Sequence, residues 1–190
     1  GVIGGLKDGT TVEELTNAFA AIGNNGEFID AYIISRIEDP HGNIVYERSS
    51  EADQVFSEET AFLMTDMLKT VITSGTATQI MSSFQNYGEI EVAGKTGTTQ
   101  FDRDSWFVGY TPDVTVGVWV GYDMPSTLIH TVRPQLLWSM ILDSAVELRP
   151  DWFQTPTFEA PEGVKREQVS TTSGKLPSSL TVEHKKVTTD

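Results

Sequence analysis

Lys95, Thr96, Gly97 and Thr98 stand together in the run Val92-Ala93-Gly94-Lys95-Thr96-Gly97-Thr98-Thr99, and their types suit chemistry at a carboxylate or an acyl group. Lys95 offers a compact cation with three donors, able to grip a carboxylate or polarise a hydroxyl. On a strand, Thr96 and Thr98 lie two apart and project their hydroxyls to one face, with Lys95, Gly97 and Thr99 directed to the other. Gly97 removes a side chain where a ligand or a second backbone must come close. At a sheet edge, the free N–H and C=O groups of such a strand would pair with an extended peptide. The set therefore suits a site that binds an acyl-peptide backbone and holds its terminal carboxylate. A plainer reading is a Gly-rich turn between two strands. A phosphate loop fits less well, because it requires Gly, four residues and then Gly-Lys-Ser/Thr. Position 89 is Glu89, Gly88 is one residue out of register, and strand-like sequence follows where a helix is needed.

The elements that must position this run follow from the pattern around it. A strand entering from Ile90 is followed by strand-like runs from Ser105 to Thr111 and from Val114 to Tyr122. Val114, Val116, Val118 and Val120 alternate with Thr115, Gly117, Trp119 and Gly121, so one face wants a core and the other leaves room for something large. Thr111-Pro112-Asp113 is a turn that makes these strands antiparallel, which puts Lys95–Thr98 at one margin of the sheet. Upstream, Thr11 and Glu14 form a capping box ahead of a helix with Val12, Leu15, Phe19 and Ile22 on one face, stopped at Gly23-Asn24-Asn25-Gly26. Phe28–Glu38 and Ile44–Arg48 read as a β-hairpin with His41 at its tip, and Glu47–Gln54 reads as a polar loop. Ser57 caps a second helix, whose core stripe is expected to be Phe62 (or Ala61), Met64, Met67, Leu68 and Val71 and which ends at Gly75. Ala77–Ser83 adds a short helical turn. Pro134 opens a last helix with Leu136, Leu137, Met140, Ile141, Ala145 and Leu148 as its apolar face, expected to cover one face of the sheet. The expected fold is α/β of the α+β type, an antiparallel sheet flanked by helices.

With these residues quoted, the chain resembles the transpeptidase domain of bifunctional (class A) penicillin-binding proteins. Lys95-Thr96-Gly97 is one of three signatures of the penicillin-recognising serine enzymes. Asp104-Ser105-Trp106-Phe107-Val108-Gly109-Tyr110-Thr111-Pro112-Asp113 and Val118-Trp119-Val120-Gly121-Tyr122-Asp123 resemble the two strands that follow it in that family. Met64-Thr65-Asp66-Met67-Leu68 and Thr73-Ser74-Gly75-Thr76-Ala77 resemble the approach to it. The resemblance covers about residues 1–150 and implies the C-terminal part of a penicillin-binding/serine β-lactamase-like transpeptidase fold. Residues 151–190, with Pro156, Pro161 and Pro177 and many Ser and Thr, read as an extended tail with short strands near Gly163–Val169 and Leu180–Val187.

The resemblance implies catalytic roles for Lys95 and Thr98 and substrate binding by Thr96, Gly97 and Thr98. Lys95 would bond a serine of a Ser-x-Asn motif, the two threonine hydroxyls would bind the substrate carboxylate, and the Thr98 N–H would serve the oxyanion hole. The family chemistry is acylation of a serine by a stem peptide ending in D-Ala-D-Ala, then transfer to an amine, with β-lactams as mimics. No metal or organic cofactor is implied. The implied partners are the upstream half of the domain, peptidoglycan stem peptides and β-lactams, at the extracytoplasmic face of a bacterial membrane. A D,D-carboxypeptidase or β-lactamase shares the Lys-Thr-Gly signature, and a non-catalytic half-module that only binds its complement is an answer of another kind.

The nucleophile is the gap. No serine in the chain is followed three residues on by lysine, and none two residues on by asparagine, so neither Ser-x-x-Lys nor Ser-x-Asn is present. Thr172-Ser173-Gly174-Lys175 comes nearest and reads as a loop. The chain is thus expected to be the piece that follows the first two signatures, and to be inactive alone. Other chemistries do not assemble: His41, His130 and His184 are far apart in sequence, nothing positions a Ser-His-Asp triad, and Asp102-Arg103-Asp104 lacks the spacing of a calcium loop and reads as solvating a turn. A formal net charge of −14 argues against nucleic acid as a partner. No cysteine is present to make a disulfide or a thiolate zinc site, and no run of about 18 apolar residues spans a membrane. The start at Gly1 without methionine suggests a targeting segment upstream.

Overall fold

In the computed structural model, residues 9–49, 51–128, 133–170, 174–176 and 187–189 are described. In chain order they give α1 (Val12–Gly23), β1 (Glu27–Phe28), β2 (Arg36–Glu38), β3 (Ile44–Glu47), β4 (Asp53–Gln54), α2 (Glu58–Thr73) and α3 (Ile80–Ser83). There follow β5 (Ala93–Thr98), β6 (Ser105–Tyr110), β7 (Thr115–Val120), α4 (Pro134–Leu148), β8 (Glu167–Val169) and β9 (Val187–Thr189). The main sheet has the order β5-β6-β7, antiparallel throughout, so β5 is an edge among the described residues. This is the expected α+β arrangement, an antiparallel sheet flanked by helices.

The faces of the sheet follow from which residues pair. Thr96, Phe107 and Val118 are in register and share one face, as do Lys95, Val108 and Gly117 on the other. Phe107 and Val118 pack into a core with Trp138 and Leu142 of α4, Ile72 of α2, Ile80 and Phe84. The valine face is therefore covered by α4, with Val114, Val116 and Val120 packed at its border. The opposite face takes α1 and α2, and the open space at Gly117 is used by α1, where a Cβ would fall 1.9 Å from Thr16 Oγ1. Leu68, Ala93 and Tyr110 form the second cluster there, with Phe19, Ile22 and Phe158 around it. The Thr11–Glu14 capping box of α1 is formed in both directions, Glu14 N–H to Thr11 Oγ1 at 3.1 Å and Thr11 N–H to Glu14 Oε2 at 2.9 Å.

Four expectations need correction. The buried side of α4 is Pro134, Trp138, Ser139 and Leu142, not the stripe through Leu136, Leu137, Met140, Ile141 and Leu148, all five of which are exposed. A helix apolar on nearly every side gives periodicity no purchase, and the indole decides: Trp138 donates Nε1–H to Gly109 O at 3.1 Å and meets Phe107 edge to face. On α2 the core positions are Ala61, Phe62, Thr65, Leu68 and Ile72, whereas Met64 and Met67 point outward. Thr65 is buried because its hydroxyl bonds the Tyr110 hydroxyl at 2.9 Å. Phe28–Glu38 is not one strand. Glu27–Phe28 pairs with Asp53–Gln54, which the sequence places in a loop, while Arg36–Glu38 pairs with Ile44–Glu47 in a separate exposed hairpin. The strand toward Lys95 begins at Ala93 rather than Ile90, because the Glu91 N–H is taken by Pro156 O at 2.8 Å.

Residues 153–158 lie against the sheet. Phe158 stacks on Tyr110 edge to face and donates its N–H to Glu91 Oε2, while Thr155 donates to Asp113 Oδ2. Glu91 also pairs with Lys69 of α2 at 2.6 Å, so one half-exposed carboxylate ties helix, strand and tail.

Burial pushes the Tyr110 phenol up to about 12, with the Thr65 hydrogen bond pulling weakly the other way. The folded chain thus holds the proton that an unfolded chain releases near pH 10, and this contribution is full below pH 10 and lost as pH rises through 12. Urea midpoints are expected to fall between pH 10 and 12 by the equivalent of about 2 to 3 kcal/mol. Tyr110→Phe should flatten that part of the profile while costing about 1 kcal/mol at neutral pH, because Thr65 loses its partner.

Candidate active site

β5 carries Lys95, Thr96, Gly97 and Thr98 along an edge whose far side is hydrogen-bonded to β6 over its whole length, Ala93 opposite Tyr110 through Thr98 opposite Ser105. The strand begins in the core, with Ala93 and Gly94 buried, and runs outward to exposed Thr98. Gly94 lies opposite Gly109, and a Cβ on Gly94 would sit 2.8 Å from both Phe107 Cζ and Val108 O. The glycine therefore lets β5 lie flush on the aromatic core, which fixes where the strand emerges.

The structure brings Thr96 and Thr98 to the face that α4 covers further in, and sends Lys95 and Gly97 to the other, as the alternation predicts. Lys95 is exposed, and its ammonium folds back to donate to Thr96 O at 2.7 Å. Thr96 is half-buried, and its hydroxyl meets the Thr76 hydroxyl at 2.5 Å from the connection between α2 and α3. Gly97 lies in register with Trp106 and, beyond it, Trp119. The two indoles are 6.1 Å apart across the strands, and a Cβ on Gly97 would be 3.2 Å from Trp106 Cβ. Gly97 thus has a packing role beside its edge position.

The turn after β5 is braced by Asp104, which sequence alone assigns to solvation. Its Oδ2 accepts from Thr99 Oγ1 at 2.7 Å, its Oδ1 accepts from Trp119 Nε1 at 3.0 Å, and its N–H donates to Thr99 Oγ1 at 3.0 Å. One carboxylate therefore pins the end of β5 to both following strands. Asp102 and Arg103 are exposed, and Phe101 and Asp102 take positive φ values of 66° and 50°, which makes the turn tight. The sequence signal for the Asp104 brace is slight, a threonine and an aspartate flanking a short connection. Nothing in the sequence pairs Thr76 with Thr96. His41 sits exposed at the hairpin tip, while His130 and His184 lie outside the described residues. Among the described residues, no three His, Cys, Asp or Glu side chains gather to hold a metal, and no helix is long and apolar enough to cross a membrane.

The family model for the penicillin-binding protein transpeptidase domain matches residues 2–127. The chain belongs to this family. Penicillin-binding protein 1A of Clostridium novyi (strain NT) is 33% identical over 178 residues, covering 94% of this chain and 20% of the relative. Penicillin-binding protein 1F of Bacillus subtilis (strain 168) is 39% identical over 127 residues, covering 64% of this chain and 17% of the relative. The chain spans about a fifth of the length of the curated relatives it matches. Among solved structures, penicillin-binding protein 1A from Haemophilus influenzae aligns with a TM-score of 0.75 at 21% identity, over 88% of this chain and 30% of that one, a likeness of fold. The D,D-transpeptidase domain of a peptidoglycan glycosyltransferase from Eggerthella lenta aligns with a TM-score of 0.60 at 27% identity, over 74% of this chain and 33% of that one. The match to the transpeptidase model, residues 2–127, takes in the whole of β5, β6 and β7.

Asp104→Ala removes two side-chain hydrogen bonds of the turn and should destabilise the chain by about 1 to 2 kcal/mol. Amide hydrogen exchange at Thr98 and Thr99 is expected to accelerate more than exchange at Phe107 or Val108. Equal acceleration at all four would mean that Asp104 supports the fold as a whole and not this turn.

Proposed function

We propose that this chain is the Lys-Thr-Gly half of a serine D,D-transpeptidase that cross-links peptidoglycan stem peptides and is acylated by β-lactams. The observation that carries the reading is the edge of β5, which pairs with no second strand among the described residues, so that Lys95 and the hydroxyls of Thr96 and Thr98 line a strand able to pair with an extended peptide. In this reading Lys95 supplies positive potential for the substrate carboxylate and holds the serine of an upstream Ser-x-Asn. Thr96 and Thr98 bind the carboxylate, with Gly97 leaving room for the acyl-peptide backbone. The Thr98 N–H forms the oxyanion hole with the N–H of an upstream nucleophile. The carbonyl of the donor peptide is attacked by that serine, D-Ala leaves as the amine takes up a proton, and a second stem peptide's amine then displaces the serine.

This chain has no Ser-x-x-Lys, and it depends on the upstream half for its nucleophile. Residues 1–150 are the C-terminal part of the transpeptidase domain, and 151–190 are an appendage whose first residues dock on the sheet. The parent is membrane-anchored and works at the extracytoplasmic face of a bacterial membrane, where its substrate lies.

Intact-mass spectrometry after incubation with excess benzylpenicillin tests this, on the chain alone and together with the upstream half. The chain alone should gain no adduct, and the upstream half should gain one. Lys95→Ala in the combined protein is expected to slow acylation by roughly a hundredfold or more, the scale of a lost electrostatic contact to the reacting group. A stable adduct on this chain would show that it carries its own nucleophile. No adduct on either piece would leave the chain as a binding module.

A further inference from the structure

Thr76 stands at the edge of the site without a role in the chemistry above. Its hydroxyl lies 2.5 Å from that of Thr96, reaching it from the connection between α2 and α3, twenty residues earlier in the chain. The residues on either side of it leave it little freedom. A Cβ on Gly75 would sit 2.7 Å from Val71 Cα and 2.9 Å from Val71 O, so position 75 is closed to any side chain without movement of the α2 backbone. Ala77 is fully buried in the main core, and its N–H donates to Val71 O at 3.0 Å. The turn that ends α2 is therefore clamped on both sides of Thr76, and the clamp aims one hydroxyl at β5.

We propose that Thr76 is a positioning residue for the transpeptidase reaction, donating its hydroxyl proton to Thr96 Oγ1 so that the single Thr96 proton is directed at the substrate carboxylate. This rests on the functional reading above. The hydroxyl chemistry supports the direction. Each threonine has one proton to give and two lone pairs to offer. If Thr96 spent its proton on Thr76, it would present only lone pairs to an incoming carboxylate, which repels them. With Thr76 as donor, Thr96 accepts and donates at once, and the charged acceptor strengthens the chain of two bonds. Thr98 lies at the exposed end of the strand, whereas Thr96 is half-buried and its hydroxyl meets that of Thr76 from behind.

The test is the second-order rate of acylation by benzylpenicillin in the full-length parent enzyme, with melting temperature followed in parallel. Thr76→Val keeps the shape and removes the hydroxyl. It should slow acylation about tenfold, as expected for one lost hydrogen bond at a charged group, with the melting temperature unchanged. Thr76→Ser should restore the rate to within about threefold, because the donor returns. In a double-mutant cycle, Thr76→Val added to Thr96→Val should cost nothing further, since the proton it directs has gone. The methyl ester of benzylpenicillin, which offers no carboxylate, should distinguish the wild type from Thr76→Val far less than benzylpenicillin does. Wild-type rates in Thr76→Val, full additivity in the cycle, or failure of Thr76→Ser to recover would each overturn the proposal. A wild-type parent that benzylpenicillin does not acylate would take down the functional reading first, and that result is visible before any variant is compared.

Discussion

The contact on which the rest of the sheet depends is the seating of Trp138 on the paired glycines of β5 and β6. Gly94 and Gly109 face each other across the strands, and Cβ atoms there would collide with Phe107, with Trp138 also pressing on Gly109. The hollow they leave is filled by Phe107 and Trp138, whose rings meet at 5.5 Å and 89°, and the indole N–H is satisfied by Gly109 O. Two fully buried aromatic side chains and a satisfied buried donor hold α4 to the sheet at one point. Because β5 is hydrogen-bonded on one side only among the described residues, its position depends on that point more than on its own ladder. A strand at the margin of a sheet has no neighbour on its outer side to share in holding it.

From there outward, control of the site passes from packing to polar contacts. At Ala93 and Gly94 the strand is buried and held by shape. At Thr96 it is half-buried and meets the Thr76 hydroxyl. Beyond Thr98 it is exposed, and Asp104 takes over through Thr99 and the Trp119 indole. Packing fixes a backbone well but says little about a hydroxyl's rotation, which only another polar group can set. The order of these contacts along β5 gives the strand a base held by shape and a tip braced by polar contacts.

Much of this was legible in the sequence where local rules act. The capping box at Thr11 and Glu14, the turn at Thr111-Pro112-Asp113 and the alternation of valines through β7 all depend on near neighbours, and each is found as expected. The edge position of Lys95–Thr98 followed from the same antiparallel reading. What failed is tertiary. The apolar run through Tyr32, Ile33 and Ile34 reads as strand, yet no strand among the described residues pairs with it and Ile33 is 99% exposed. The apolar sides of α4 and α2 were misassigned because both helices carry more apolar residues than one face can bury, and only contact with Gly109 and Tyr110 selects among them. Thr76 and Asp104 meet Thr96 and the Trp119 indole twenty and fifteen residues on, separations that no single stretch of sequence displays.

The misassigned residues carry a physical consequence. Leu136, Leu137, Met140, Ile141 and Leu148 on α4, with Met64 and Met67 on α2, are exposed in this chain. Their burial is worth on the order of 25 cal/mol for each Å² removed from water, so leaving them wet forgoes stability that a packed domain would collect. A helix with apolar residues on its outer side as well as on the side that meets the sheet carries more apolar surface than one layer can cover. The sheet supplies one layer against α4, through Trp138 and Leu142. The outer side of α4, with Leu136, Leu137, Met140, Ile141 and Leu148 exposed, is the side on which a second layer would collect that stability.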